Sequence, residues 1–187
     1  METNIKKGKC CFAGHRRCLA RDIEKRLACA IQAEIDNGCR SFIMGTHGKF
    51  DDLALTICKS FRKKYEDIDI EVVITSLNQV KTFCEYDDKF GKEFYTPYQD
   101  VSTLMYEIEE THFKRRITLS NEMMINDSDR IICYVNTDEY KSGAKNTLRY
   151  AEKRGLKITN LFRDEDRPFY GMSEEEIKEY IRQVITI

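Results

Sequence analysis

The sequence predicts an α/β fold in which a mainly parallel β-sheet has helices on both faces. Short, continuous apolar segments alternate with longer segments of helical periodicity, which is the pattern of strands buried on both faces. Several apolar segments end in glycine and other small residues, which favour a turn from strand to helix. At 187 residues, the chain is long enough to bury a sizeable core. We therefore expect a single domain over residues 1–187.

The first half of the chain contains three predicted strands and two predicted helices. Ile23, Leu27 and Ile31 recur every four residues, which places them on one face of a helix. We expect this helix to end at Asn37-Gly38, because glycine commonly follows the last helical turn. In order, the elements are a strand at residues 9–13, a helix at 23–35, a strand at 40–44, a helix at 50–61 and a strand at 70–75.

The regular alternation breaks between residues 76 and 98. This segment is long for a connection inside a compact domain, and such segments often serve as binding loops or lids. Its aromatic side chains could stack against a base and close a site, or could anchor a surface loop or a dimer contact. They are Phe83, Tyr86, Phe90, Tyr95 and Tyr98. Both interpretations, a lid loop and an anchored loop, remain open.

Helices and strands resume after this segment. Ser173 and Glu176 have the spacing of a capping box, in which two side chains bond to backbone N–H groups at the start of a helix. The predicted elements are an amphipathic helix at residues 101–112, a short helix at 121–126, a strand at 129–135, a helix at 143–154, a strand at 157–162 and a C-terminal helix at 173–187.

The composition favours a cytoplasmic protein that contacts neither a membrane nor nucleic acid. The net charge is -1, and each short basic group has acidic neighbours, so the sequence predicts no continuous basic surface. No apolar run approaches the roughly 18–20 residues of a membrane span. The first residues also lack the apolar segment of a signal peptide.

The eight cysteines do not have the spacing of a metal site. The sequence contains no Cys-x-x-Cys pair and no paired histidines, so we expect no metal and no cofactor. Most of the cysteines, Cys29, Cys58 and Cys133 among them, occupy positions where a strand or helix would bury a small apolar residue. Cys18, close to the first turn, is the one candidate for a reactive thiol.

Three turns from strand to helix carry the residues that we expect to contact a ligand. In a parallel sheet the strands end at one edge, where ligands commonly bind. Small residues there leave the N–H groups of a helix N-terminus accessible to phosphate. The turns are Gly14-His15-Arg16, Gly45-Thr46-His47-Gly48-Lys49-Phe50-Asp51 and Ser142-Gly143-Ala144-Lys145-Asn146-Thr147. We expect them to form one pocket for a nucleotide-like molecule.

His15, His47 and Asp51 are the candidate catalytic residues. Both histidines lie in turns, where an imidazole can exchange protons near neutral pH or donate to a phosphate. Asp51 falls in the first turn of a predicted helix, where its carboxylate either complements the helix dipole or reaches a ribose hydroxyl. The turns match neither the P-loop nor the Gly-x-Gly-x-x-Gly spacing, which disfavours a standard dinucleotide site.

Four segments together carry a resemblance to a known family. They are Cys10-Cys11-Phe12-Ala13-Gly14-His15-Arg16, Gly45-Thr46-His47-Gly48-Lys49-Phe50-Asp51, Ser120-Asn121-Glu122-Met123-Met124 and Ser142-Gly143-Ala144-Lys145-Asn146-Thr147. In this order, over about residues 9–162, they resemble the YpsA-like branch of the SLOG superfamily. The resemblance implies a Rossmann-like three-layer sandwich that binds nucleotide-derived ligands.

The turns and the resemblance together give the expected ligand-binding residues. They are Gly14, His15, Arg16, Gly45, Thr46, His47, Asp51, Asn121, Ser142, Gly143, Ala144 and Thr147. The superfamily also includes phosphoribohydrolases of the lonely-guy type, DprA-like DNA-processing proteins and nucleotide-sensing domains. Its members often pair, so we expect a homodimer.

The sequence departs from the phosphoribohydrolases at the positions that carry their catalysis. Their phosphate loop ends in a glutamate, whereas Tyr150 stands at that position here. Ser120-Asn121 stands where those enzymes have an Arg-Lys pair. We therefore expect a sensor or binding module for a nucleotide-derived small molecule. The alternative is a hydrolase that cleaves the N-glycosidic bond of a nucleoside monophosphate or related nucleotide, and a weaker alternative is a DprA-like contact with single-stranded nucleic acid.

Overall fold

A computed structural model describes residues 8–18, 20–76, 86–87, 92–93, 102–104, 108, 110–139, 142–169 and 174–185. The strands are β1 (Lys9–Gly14), β2 (Ser41–Met44), β3 (Asp69–Ile74), β4 (Tyr86–Asp87), β5 (Lys92–Glu93), β6 (Ser102–Leu104), β7 (Arg130–Tyr134) and β8 (Lys157–Asn160). The helices are α1 (Ile23–Asp36), α2 (Lys49–Arg62), α3 (Phe113–Asn126), α4 (Gly143–Arg154) and α5 (Glu174–Ile185). A 3-10 turn occupies Asp164–Phe169.

Six strands form one parallel sheet in the order β6-β3-β2-β1-β7-β8. From β1 the chain builds outward through β2, β3 and β6, and it then returns to add β7 and β8 on the other side of β1. The order of the strands therefore reverses between β1 and β7. In open α/β sheets, the crevice beyond the carboxyl ends of the strands at such a reversal is the usual ligand site.

Helices cover both faces of the sheet. Alternate residues of β1 point to opposite faces, so Cys10 and Phe12 pack with α1 and α2, whereas Cys11 and Ala13 pack with α3 and α4. Helices α1, α2 and α4 bury the apolar stripes that their sequences predict, with Leu27 and Ile31 of α1 fully buried. The fold is an α/β Rossmann-like sandwich, as the sequence predicted.

Two elements differ from the sequence prediction. The periodicity of residues 101–112 predicted a helix, but residues 102–104 form the edge strand β6, whereas Ile108 and Glu110 are helical as predicted. Thr103 pairs in parallel with Val73, so pairing with an existing strand outweighed a weak helical pattern. The helix predicted at residues 121–126 is longer and spans Phe113–Asn126. Its first turns were missed because Lys114-Arg115-Arg116 interrupts the apolar pattern.

The other predicted elements lie within a few residues of their expected positions. Gly155 ends α4 in the left-handed conformation, with φ of 77°, and Gly38 follows α1 with φ of 85°. The last helix is α5, and the capping residue expected at Ser173 lies outside the described residues. Of the expected lid segment, the structure describes Ser76 and the antiparallel pair of β4 and β5.

Two predictions about cysteines were wrong. Cys18 is 6% exposed, and burial raises the pKa of its thiol to about 12, which leaves it unreactive at neutral pH. Cys29 is exposed on α1, although its position predicted a buried thiol. Cys10, Cys11, Cys39, Cys58 and Cys133 are buried, whereas Cys84 lies outside the described residues. Among the described helices, none has the length and apolar character needed to cross a bilayer.

Candidate functional site

A cavity of about 880 Å³ opens where the order of the strands reverses. Its floor is formed by the carboxyl end of β1 and by the loop that follows β7, and its walls come from α3, α4 and the turn that follows β2. Ten of the twelve expected ligand-binding residues line it: Gly14, His15, Arg16, His47, Asp51, Asn121, Ser142, Gly143, Ala144 and Thr147. The fold thus brings the three turns and α3 to one place.

Two expected residues are not part of the lining, and several unexpected ones are. Gly45 and Thr46 do not line the cavity; Gly45 is buried directly after the end of β2, and Thr46 is partly buried. Sequence reasoning missed Arg17 and Glu139 as members of the site. Both lie in loops that follow the two central strands, so the rule that identified Gly14 and Ser142 could have identified them. The wall also contains Arg17, Glu122, Glu139, Asn146 and Tyr150.

His15 is buried in the floor of the cavity and has a fixed tautomer. Its Nε2 accepts a hydrogen bond from the backbone N–H of Asn136, at 2.7 Å. Because a backbone N–H can only donate, this nitrogen carries no proton and the proton of the neutral ring lies on Nδ1. Burial lowers the pKa of His15, although the nearby Glu139 carboxylate opposes that shift. The ring is therefore neutral at physiological pH.

The proton on His15 Nδ1 faces two acceptors. Glu139 Oε2 and Ser142 Oγ each lie 3.5 Å from this nitrogen. Both distances are at the outer limit of a hydrogen bond, so neither contact is strong. The backbone of Glu139 is anchored chiefly by its carbonyl, which accepts from Lys145 Nζ at 3.1 Å, and more weakly by its N–H, which donates to the Asn136 carbonyl at 3.4 Å.

In the turn after β2, a side chain of α2 accepts a hydrogen bond from a backbone N–H group at the start of the helix. The Asp51 carboxylate accepts from the N–H of His47, at 2.9 Å, in the position that a bound anion would otherwise take. Withdrawal from water raises the pKa of Asp51 to about 6, although backbone N–H bonds from His47 and Gly48 oppose the shift. Of the two roles expected for Asp51, the structure places it in the helix-start role.

Two glycines let the first and second turns approach each other. A Cβ on Gly48 would lie 2.8 Å from the Cα of Arg16, and Lys49 N–H donates to the Arg16 carbonyl at 3.0 Å. A Cβ on Gly14 would lie 2.6 Å from Cγ of Phe50. These distances are too short for any larger residue, so both glycines are required by packing.

The N-terminus of α4 has backbone donors that face the cavity. Ser142 caps the helix, because its Oγ accepts from Lys145 N–H at 3.4 Å. Among the described residues, no acceptor is present for the N–H groups of Gly143 and Ala144. A Cβ added to Gly143 would meet no atom within 4 Å, so the space in front of this residue is open. This end of α4 can hold an anion.

Hydrogen bonds fix the wall between α3 and α4. Asn121 Nδ2 donates to Thr147 Oγ1 at 3.0 Å, and that hydroxyl donates to the Gly143 carbonyl at 3.0 Å. The Tyr150 hydroxyl donates to Asn126 Oδ1 at 3.0 Å. These contacts give Asn121, Thr147 and Tyr150 a role in holding the two helices together.

Buried polar atoms without partners concentrate in this cavity. Among the described residues, three buried side-chain nitrogen or oxygen atoms lack a hydrogen-bond partner: Arg26 Nε, His47 Nε2 and Glu139 Oε2. The residues of two of them, His47 and Glu139, line the cavity. Burial lowers the pKa of His47, and the positive charge of Arg16 lowers it further. His47 is therefore neutral as well.

Comparison with known proteins does not add an assignment. A scan against protein-family models and a search of curated proteins each returned no match. The resemblance to the SLOG superfamily therefore stays a prediction, and the geometry of the cavity carries the functional conclusion.

Proposed function

We propose that the protein binds a nucleotide-derived small molecule at the carboxyl ends of β1 and β7, as a sensor or binding module. The observation that supports this most is the pair of unpartnered buried atoms, His47 Nε2 and Glu139 Oε2, in the wall of one cavity. Leaving a buried polar group without a partner costs about 1–3 kcal/mol. Folded proteins rarely leave two such groups in one place, and an ordered water or a bound ligand is what usually pairs with them.

The phosphate end of the ligand is assigned to the N-terminus of α4. The Gly143 and Ala144 N–H groups, together with the helix dipole, favour an anion there. Arg16 and Arg17 are exposed at the rim of the same cavity and can add charge-assisted hydrogen bonds. The volume of about 880 Å³ lies within the range of about 300–1,000 Å³ that is common for small-molecule sites.

Calorimetric titration tests this proposal. The wild-type protein is titrated with nucleoside monophosphates, nucleoside diphosphates and ADP-ribose-type ligands. We expect saturable binding of at least one ligand that carries both a phosphate and a nucleoside. Binding of none of them would refute the proposed function. Mass spectrometry of small molecules that co-purify with the folded protein would identify the ligand without a preselected panel.

Hydrolysis of an N-glycosidic bond is the second candidate, and the carboxyl of Asp51 favours it. A pKa of about 6 suits a group that must gain and lose a proton near neutral pH. Glu122 and Glu139 add two further carboxylates to the cavity wall. Such a reaction requires a carboxylate that activates water or stabilises a positively charged sugar.

The two candidates are separated by product analysis. The protein is incubated with each nucleotide that it binds, and free base is measured by chromatography. Release of base that is abolished in Asp51→Asn would establish the hydrolase and assign Asp51 to it. Binding without release of base would establish the sensor or binding module.

A further inference from the structure

We infer that the Glu139 carboxylate accepts hydrogen bonds from the ribose hydroxyls of the ligand, so that the cavity selects ribonucleotides over nucleotides whose sugar lacks these hydroxyls. This inference rests on the proposed function and specifies the class of ligand. Glu139 lies outside the four segments that resemble the SLOG superfamily.

The backbone of Glu139 is fixed from two sides. Its carbonyl accepts from Lys145 Nζ on α4, and its N–H donates to the Asn136 carbonyl where β7 has just ended. Asn136 is itself tied to the floor by its N–H bond to His15 Nε2. The carboxylate therefore extends from an anchored backbone at the edge of the cavity, which reduces the ordering needed before it can bind a ligand.

The Glu139 carboxylate has no strong hydrogen-bond donor among the described residues. An ionised carboxylate can only accept hydrogen bonds, and Oε2 is buried without a hydrogen-bond partner. The proton on His15 Nδ1 is 3.5 Å away and is shared with Ser142 Oγ at the same distance. Because Oε2 is enclosed beside His15 while the Glu139 side chain as a whole is 28% exposed and lines the cavity, the other carboxylate oxygen, Oε1, is the one that a hydroxyl group of the ligand would reach.

Charge decides which part of the ligand faces Glu139. A phosphate beside this carboxylate would be repelled, whereas Arg16 and Arg17 on the first turn would attract it. The sugar is the part of a nucleotide that is neutral and rich in hydroxyl donors. A nucleoside monophosphate places its phosphate and its ribose diol a few atoms apart, which suits a cavity whose lining carries both backbone donors at Gly143 and an acceptor at Glu139.

Calorimetric titration of a matched ligand panel tests the inference. The four ribonucleoside 5′-monophosphates are compared with their 2′,3′-dideoxy counterparts on the wild-type protein. Hydrogen bonds to a charged group are worth about 1.5–3 kcal/mol, so we expect the best ribonucleotide to bind roughly tenfold to hundredfold more tightly than its dideoxy counterpart. In Glu139→Ala this ratio should fall to about one, and in Glu139→Gln, which keeps an acceptor but loses the charge, it should be intermediate.

Asp138→Ala is the matched control. It removes a carboxylate from the same turn, but Asp138 is exposed, pairs with Arg167 and is not part of the cavity wall. This variant should keep the wild-type ratio, and circular dichroism confirms that each variant is folded. Equal binding of ribo and dideoxy ligands by the wild-type protein, or an unchanged ratio in Glu139→Ala, would overturn the inference while the proposed function stands. Binding of no panel member would overturn both.

Discussion

His15 Nε2 and the backbone N–H of Asn136 form a hydrogen bond of 2.7 Å between the ends of β1 and β7. The backbone of His15 adds a second link, because its N–H donates to the Tyr134 carbonyl at 3.1 Å. The ring also contacts the edges of Tyr134 and Phe162. One buried, neutral histidine thus joins the two strands at the point where the sheet reverses its order, and it sets the floor of the cavity.

His15→Ala should destabilise the protein by about 2–4 kcal/mol. The substitution leaves the buried Asn136 N–H without an acceptor and creates a cavity beside Tyr134 and Phe162. Urea denaturation measures the free energy of unfolding. His47→Ala is the control, because His47 Nε2 has no hydrogen bond to lose, and its cost should stay below about 1 kcal/mol. Equal costs for the two variants would contradict the structural role of His15.

Asp51→Asn should stabilise the protein more at pH 7.5 than at pH 4. The folded-state pKa of Asp51 is raised from 3.8 to about 6, so the folded protein binds the proton more tightly than the unfolded chain does. The stability due to this group is present below pH 3.8 and is lost as pH rises through 6. Asparagine does not ionise, and its Oδ1 can still accept from His47 N–H. The gain at pH 7.5, read from thermal unfolding, should be about 1–2 kcal/mol after allowance for the partial exposure of the side chain.

The dependence on pH separates this effect from a general change in stability. Thermal unfolding of both proteins is followed from pH 4 to pH 8, and the difference in midpoint should grow between pH 4 and pH 6.5 and then level off. A constant difference across this range would show that Asp51 does not titrate with a raised pKa.

Gly14→Ala and Gly143→Ala should have opposite effects on stability. The methyl group added in Gly14→Ala would overlap the ring of Phe50, so this variant should lose about 1–3 kcal/mol through overpacking. The space around Gly143 is open, and alanine favours a helix more than glycine does, so Gly143→Ala should be neutral or stabilising by up to about 1 kcal/mol. Chemical denaturation of both variants checks this. A loss of stability in Gly143→Ala would show that the space at the start of α4 is not open.

The sequence predicted the layered fold well, because short apolar runs such as Ile131-Ile132-Cys133 are typical of strands buried on both faces, and this run does pack on both. It failed at β6, because a three-residue strand is defined by its partner β3 and carries almost no local signal. The start of α3 was missed because its charged residues interrupt the apolar pattern, although tertiary packing stabilises a helix there.

The location of the cavity was predictable, but the division of roles within it was not. The three turns had to meet because parallel strands end at one edge. Side-chain orientation decides that the Asp51 carboxylate bonds to its own turn, and a sequence pattern does not show it. The bond between His15 and Asn136 joins residues that are 121 positions apart, which a local pattern cannot reveal either. Glu139 was missed because one acidic residue in a polar turn looks like a solvated side chain until its buried Oε2 is seen.

The most direct test of the nucleotide-binding account compares the wild-type protein with Gly143→Glu by calorimetric titration. The new side chain would enter open space at the N-terminus of α4, so the protein should fold with a normal circular dichroism spectrum. Its carboxylate would occupy and repel the site assigned to phosphate, and affinity for the best nucleotide should fall at least about a hundredfold. An unchanged affinity in the folded variant would contradict the placement of the phosphate at Gly143, and with it the central claim.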